Sequence, residues 1–390
     1  MFRSKFFYNT YRWLPFKSPK RATPWAFAVV VAALLTTAAL GETPAFDLDQ
    51  PEAALETIRR QHDLPAIGAA VVTADGLQAL ATAGVRKRGE AVAVTDDDLW
   101  HLGSCGKAMT ATLIARLVEA GQLRFEQTLG ESFPELAPEM DEALRSVTLL
   151  DLLSHRSGLP ANFNLLAYAN QTDAHQARQQ VLRETLKQPL LSPPGEAYLY
   201  SNWGYTLAGH IAEQAVGEPW ETLMQREVFE PLGITSAGFG GLGTPGKIDQ
   251  PWPHTPNGTP WHTTGPEIDN VPAMGPAGRI HMNLADWAKF TAEHLKGRRG
   301  ESDFLNQESF RLLHTARGDD YALGWVVASR PWAGGDALNH VGDNTLNHAN
   351  AWLAPEKGFA VLIVTNQSTA YAATDQVASG LILAWLAQDP

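Results

Sequence analysis

A single cysteine, Cys105, stands among 390 residues. This excludes an intramolecular disulfide framework and any metal centre built from cysteine clusters. Basic residues are outnumbered, 30 Lys and Arg against 42 Asp and Glu. A net charge of −12 argues against a nucleic-acid partner, because phosphates are held by Lys and Arg. No apolar run reaches the 18 residues or so of a membrane-spanning helix, and no repeat recurs at a fixed period. What is present is ordinary for a folded protein: 44% hydrophobic residues, 18% charged, 33 Gly and 25 Pro. A large core is therefore available, and it must stand on packing alone.

The N-terminal segment has the pattern of an export signal. Arg3, Lys5, Arg12, Lys17, Lys20 and Arg21 precede an apolar run over residues 26–40, with no acid among them. Ala39-Leu40-Gly41 supplies the small-x-small cleavage pattern, so residues 1–41 are expected to be removed, taking the net charge from −12 to −18. The alternative is an uncleaved anchor giving transient membrane association. Both readings place the remainder outside the cytoplasm, periplasmic or secreted. No lipobox cysteine is present.

Along the mature chain a helical PEAALETIRRQHDLP leads into IGAAVVT, the turn Ala74-Asp75-Gly76 and LQALATAG, which read as a β-hairpin. From Ser104 onward Met109, Leu113, Ile114, Leu117 and Val118 recur at helical spacing, and Gly121 stops the helix. Residues 123–240 are mostly helical in pattern. Residues 239–275 hold seven Gly and seven Pro and predict a long irregular loop, with Trp252 and Trp261 either packing it or lining an acyl pocket. DWAKFTAEHL is helical, YALGWVV, ANAWLAP and GFAVLIVTN read as strands, and QVASGLILAWLA closes as an apolar helix. The expectation is an α+β fold: an antiparallel sheet flanked by helices, built from residues 42–103 and 275–390, with a helical lobe, 104–274, inserted.

The sharpest local feature is Ser104-Cys105-Gly106-Lys107 at the start of the buried helix. Three residues make about one turn, so hydroxyl and amine share a face. A lysine desolvated among apolar neighbours can lose enough basicity to take a serine's proton. The same four residues also fit an N-cap serine beside a surface lysine. A phosphate loop is excluded by His101 and Ala108, and a G-x-S-x-G elbow by Leu102. Two further motifs join it: Tyr200-Ser201-Asn202 after the turn Pro194-Gly195, and His340-Val341-Gly342 before ANAWLAP.

With these motifs the sequence resembles the serine β-lactamase and penicillin-binding-protein superfamily, in the class C β-lactamase-like branch that includes esterases and D-amino-acid peptidases. The resemblance rests on HLGSCGKAMTATLIARLVEAGQL, LLSHRSGLP, PPGEAYLYSNWGYTLAGHIAEQAVG, VFEPLGI, PAGRIHMNLADWAKF and the HVG segment, in that order. It implies a β-lactamase/transpeptidase-like fold and a serine hydrolase acting through an acyl-enzyme on an ester or amide bond, without metal or cofactor. Ser104 would be the nucleophile, Lys107 and Tyr200 would share proton transfer, and Asn202 would bind the acyl part of a small or peptide-like substrate. His340, Val341 and Gly342 would form the third motif, and the N–H groups of Ser104 and Asp343 the oxyanion hole. Cys105 would be a small apolar filler. The alternatives are a β-lactamase or DD-peptidase, or a penicillin-recognising sensor that does not turn over.

Two departures bear on substrate. The third motif carries His340 where lactam-processing relatives usually carry lysine, so capture of a substrate carboxylate is expected to be weak except below pH about 6.5, where an ordinary imidazole is charged. Asp343-Asn344-Thr345-Leu346-Asn347 follows where a glycine is common, so a bulkier cleft floor is expected. His101, His155, His210, His254, His262, His281, His314 and His348 contain no H-E-x-x-H and no apparent clustering with acids, and no metal site is expected.

Overall fold

Nearly unbroken apolar runs in IGAAVVT and GFAVLIVTN require strands covered on both faces. The computed structural model, which describes residues 43–261 and 268–388, provides that cover. The expected export segment, residues 1–41, and His262 lie outside the described residues. Strands β1 (Ala66–Thr73) and β2 (Gly76–Gly84) form the hairpin. They join β6 (Val326–Arg330), β7 (Gly335–Asp343), β8 (His348–Ala354) and β9 (Phe359–Thr365) in an antiparallel sheet of order β2-β1-β9-β8-β7-β6. Chain start and chain end thus meet at β1 and β9, with Ala69 opposite Ile363.

Alternate side chains of the central strands go to opposite cores. Ile67, Val71, Val361 and Ile363 pack with Leu55 and Ile58 of α1 (Glu52–Gln61) and with Val377 and Leu381 of the last helix, Tyr371–Leu386. Ala70, Val72, Leu362 and Val364 face the larger core. That core is filled by Met109, Leu113 and Ile114 of α2 (Gly106–Glu119), Leu207 and Ile211, and Trp287 and Phe290. The inserted segment carries α3 (Ala174–Thr185) and α4 (Asn202–Val216), followed by α5 (Leu284–Arg299) and α6 (Tyr371–Leu386).

One local expectation is corrected. Tyr321–Trp325 is a turn and not strand: Ala322 N–H bonds to Trp325 O and Gly324 has φ +86°, so β6 begins only at Val326. The HVG segment lies on a nine-residue strand, β7. A second, three-stranded sheet of order β3-β5-β4, from Trp100–His101, Ile280–Met282 and Gly238–Phe239, had no sequence signal because its strands are two or three residues long. Trp252 in the irregular loop packs as a wall: Lys87 Nζ sits 3.9 Å over its ring and its Nε1–H donates to Trp261 O.

Candidate active site

Ser104 lies in a single 3-10 turn, Gly103–Cys105, that joins β3 to α2. The turn is pressed against β7 so closely that only glycine fits on either side. A Cβ on Gly103, whose φ is +52°, would meet Asp343 N at 2.5 Å, and one on Gly342 would meet Leu102 O at 1.8 Å. The same contact puts Ser104 N within 2.7 Å of that Gly342 Cβ position. The backbone nitrogens of Ser104 and Asp343 therefore belong to two segments in direct backbone contact.

Lys107 is one turn along, in the first turn of α2, and fully buried. Its Nζ is 3.0 Å from Ser104 Oγ, 2.7 Å from Asn202 Oδ1 and 2.6 Å from Ala277 O. Burial draws the ammonium down to about 7, far below an ordinary lysine. Half of the molecules are then neutral near pH 7. A neutral amine has two N–H groups, and Asn202 Oδ1 and Ala277 O accept both, which leaves the lone pair facing the Ser104 hydroxyl.

Tyr200 precedes the Ser201 N-cap of α4, and its hydroxyl donates to Ser104 Oγ at 3.0 Å. Burial pushes this phenol well above its ordinary value, so at neutral pH it holds its proton and serves as a donor. Asn202 Nδ2 donates to Asn162 Oδ1 at 2.9 Å, so its amide is fixed from both ends. The rival serines are spent elsewhere: Ser201 Oγ donates to Pro160 O and caps Gly204 N–H, and Ser157 Oγ accepts from Leu159 N–H. Cys105 is buried, its thiol directed at His340 O at 3.2 Å and pushed up by desolvation, consistent with an inert filler.

His340 is not an exposed cation-in-waiting. Its Nδ1–H donates to Val341 O at 2.8 Å, and its Nε2 accepts from Tyr321 OH at 3.1 Å. Burial, aided by the Lys107 charge, draws the imidazole down to about 3. The expectation that it becomes charged below pH 6.5 is therefore corrected: it stays neutral throughout the range in which the fold would be assayed. The expected bulky cleft floor also changes character. Asn344 and Asn347 are buried, Asn344 Oδ1 accepts from Asn347 N–H at 2.9 Å, and only Thr345 of the five residues is exposed.

Two residues, His155 within LLSHRSGLP and Tyr321, support the site without a sequence signal for that role. His155, with φ +58°, accepts the Ser201 N–H at Nδ1 and packs at a tilt with its ring centroid 4.3 Å from that of Tyr200, holding the second motif from behind. Tyr321 holds His340. These partners sit 19 to 46 residues away in sequence, beyond any helical or strand period. The expectation that no histidine gathers with acids is likewise corrected. His175 on α3 and His210 and Glu213 on α4 bring ligand-type atoms within 4.8 Å of one another. Glu213 is already engaged there: Oε1 accepts from Arg178 Nη2 at 2.5 Å and from Trp220 N–H at 2.9 Å, and Oε2 from His210 Nδ1 at 2.8 Å.

Comparison with known proteins gives the family. Residues 51–383 match the family described as Beta-lactamase. The chain is 27% identical over 352 residues to penicillin-binding protein 4 of Amycolatopsis lactamdurans, covering 83% of this chain and 87% of that protein. It is 27% identical over 348 residues to an unguisins hydrolase of Aspergillus campestris, covering 83% of this chain and 62% of that one. Among solved structures, D-alanine carboxypeptidase AmpC from Burkholderia cenocepacia superposes with a TM-score of 0.66 at 20% identity, over 84% of this chain and 95% of that chain, a likeness of fold. With the family matched across most of its length, and Ser104, Lys107 and Tyr200 gathered within hydrogen-bonding distance, the chain belongs to the β-lactamase family and is a serine hydrolase.

Proposed function

We propose that the protein is an exported acyl-enzyme hydrolase of esters or D-amino-acid peptides, with neutral carbonyl substrates preferred over β-lactams. The observation that carries the acyl-enzyme reading is the three-way contact at Ser104 Oγ, with Lys107 Nζ and Tyr200 OH each at 3.0 Å. Neutral Lys107 takes the Ser104 proton as Oγ attacks the carbonyl carbon. The oxyanion forms against the Ser104 and Asp343 N–H groups. Collapse breaks the C–O or C–N bond, and the leaving group departs with a proton delivered from Lys107 through Tyr200. Water then adds to the acyl-Ser104 ester by the same route, releasing the acid and restoring Ser104.

The substrate preference rests on His340, which is neutral and committed to Tyr321 and Val341 O, so the third motif offers no cation to a carboxylate. Fluorophosphonate labelling followed by mass spectrometry should place the adduct on Ser104, and Ser104→Ala should abolish it. Turnover should favour p-nitrophenyl acetate or D-peptides over nitrocefin. Labelling without turnover of any of them would favour a penicillin-recognising sensor instead. The same material, recovered outside the cytoplasm and sequenced from its N-terminus, should begin at or near Glu42; an intact residue 1 in a membrane fraction would support the anchor.

A further inference from the structure

The two residues whose N–H groups would bind the oxyanion belong to separate segments, a 3-10 turn after β3 and the end of β7. Catalysis by an oxyanion hole depends on the separation and direction of its donors, because they must be aimed where charge develops. A buried polar network runs behind both segments. Gly103 N–H donates to His101 Nδ1 at 3.0 Å, which leaves the ring proton on Nε2, and Nε2 lies 3.0 Å from Asp269 Oδ1, a close polar contact rather than an aligned hydrogen bond. Asn344 Nδ2 donates to the same Asp269 Oδ1 at 3.0 Å. Asp269 Oδ2 faces Arg279 Nε at 3.3 Å. The side chains of His101 and Asp269 are each 1% exposed.

One carboxylate therefore reaches both halves of the hole. Through the imidazole it holds the residue before Ser104, and through the Asn344 amide it holds the residue after Asp343. Asn344 in turn closes its own turn through the N–H groups of Leu346 and Asn347. Across the gap, Gly103 and Gly342 touch backbone to backbone with no side chain to adjust the spacing. His101, Asp269 and Asn344 touch neither Lys107 nor Ser104 Oγ in any of these bonds, so their effect on the reaction is indirect.

We propose that Asp269, acting through His101 and Asn344, is the positioning residue that sets the spacing and aim of the two oxyanion donors. This rests on the reading of Ser104 as the acylated residue. An ionised carboxylate suits the place because it only accepts, and Asn344, Arg279 and the His101 ring each bring an N–H-bearing nitrogen within 3.3 Å of it; an amide would turn an N–H₂ group toward one of them. Loss of one oxyanion donor costs about 10²- to 10³-fold in rate, and misaiming rather than removing donors should cost about 10-fold or more.

Two isosteric changes at position 101 separate the links. His101→Gln places an amide near Nε2 and abandons the Gly103 N–H, whereas His101→Asn places an amide oxygen near Nδ1 and keeps an acceptor for it. The experiment measures single-turnover acylation by p-nitrophenyl acetate, affinity for phenylboronic acid, KM and the pH midpoint of kcat/KM. Phenylboronic acid forms a tetrahedral adduct on serine whose oxygen occupies the hole. Asp269→Asn and His101→Gln should lower acylation about 10-fold or more and weaken the boronic acid in parallel, with KM within about twofold and the pH midpoint unmoved. His101→Asn, which keeps an acceptor for the Gly103 N–H but does not reach Asp269, should be slowed to a similar extent. Folded Asp269→Asn with wild-type acylation, or slowed acylation with boronic acid affinity intact, would overturn the proposal. If Asp269→Asn does not fold, wild-type acylation in His101→Asn would overturn it. Wild-type protein that forms its adduct on a serine other than Ser104 would instead sink the underlying reading.

Discussion

At the scale of single residues, the site is governed by what burial does to charge. Desolvation lowers Lys107 and raises Tyr200, so the amine approaches neutrality while the phenol keeps its proton. Two groups of similar ordinary pKa are thereby separated into a base and a donor around one hydroxyl. With Lys107 as the proposed base, the sign of the pH dependence follows: activity is absent when the ammonium is protonated and rises as pH passes through about 7. For a neutral ester, kcat/KM should climb with a single apparent midpoint near 7 and hold a plateau above it, about tenfold lower one unit below the midpoint. A midpoint left near 10, as for an ordinary lysine, would remove Lys107 as the base. Because His340 titrates only near 3, its protonation should contribute no second step between pH 5 and 9.

At the scale of elements, the decisive contact is the 3-10 turn Gly103–Cys105 lying on β7. β7 pairs with β8 so that His340 stands opposite Ala351 and Asp343 opposite His348. The Asp343 carboxylate is drawn away from the cleft: Oδ1 accepts from Thr345 N–H at 2.6 Å and Oδ2 from Thr369 N–H at 2.7 Å. Thr345 and Thr369 have φ +73° and +58°, so this one side chain holds two strained residues next to the site. Gly342→Ala tests how tight the junction is, since the added Cβ would fall 1.8 Å from Leu102 O and the obstruction is backbone. Overpacking of this kind costs about 1–3 kcal/mol or more. The variant should melt several degrees lower and lose most Ser104 labelling. Unchanged labelling and melting would mean that the turn and β7 are free to separate.

For the molecule as a whole, acid is the expected weakness. Burial holds His254 and His281 down to about 4 and His294 and His340 down to about 3. In the unfolded chain these groups protonate near 6.5, so between pH 6.5 and 4 the unfolded state binds more protons and stability falls as pH falls. A shift of two units in one such group amounts to about 3 kcal/mol. Glu213 adds a lower step. Burial would raise its carboxyl, but the His210 hydrogen bond and the Arg178 charge bring it to about 2, so its contribution is present above the ordinary carboxylate range and is lost as pH falls through 2. Thermal melts at fixed ionic strength should show Tm falling steadily from pH 6.5 to 4, roughly 5 °C or more in all. A flat Tm across that window would mean that these imidazoles are hydrated in the folded protein.

The sequence by itself determined what is local and periodic. The β1–β2 hairpin follows from two apolar runs joined by the turn Ala74-Asp75-Gly76, and α2 from the three- and four-residue recurrence of Met109, Leu113, Ile114 and Leu117. The pairing of Ser104 with Lys107 follows from their separation by about one helical turn. The remaining motif residues were legible only as a resemblance, because Tyr200 reaches Ser104 across 96 residues and no period spans that distance. Tertiary structure alone decided protonation. Whether Lys107 is neutral and His340 permanently uncharged depends on how completely the fold excludes water and on which donor, such as Tyr321, arrives at the other ring nitrogen. It also decided that His101, Asp269 and Asn344 form one network. These residues come from β3, an irregular loop and the turn after β7, and a polar contact formed across such distances is set by packing.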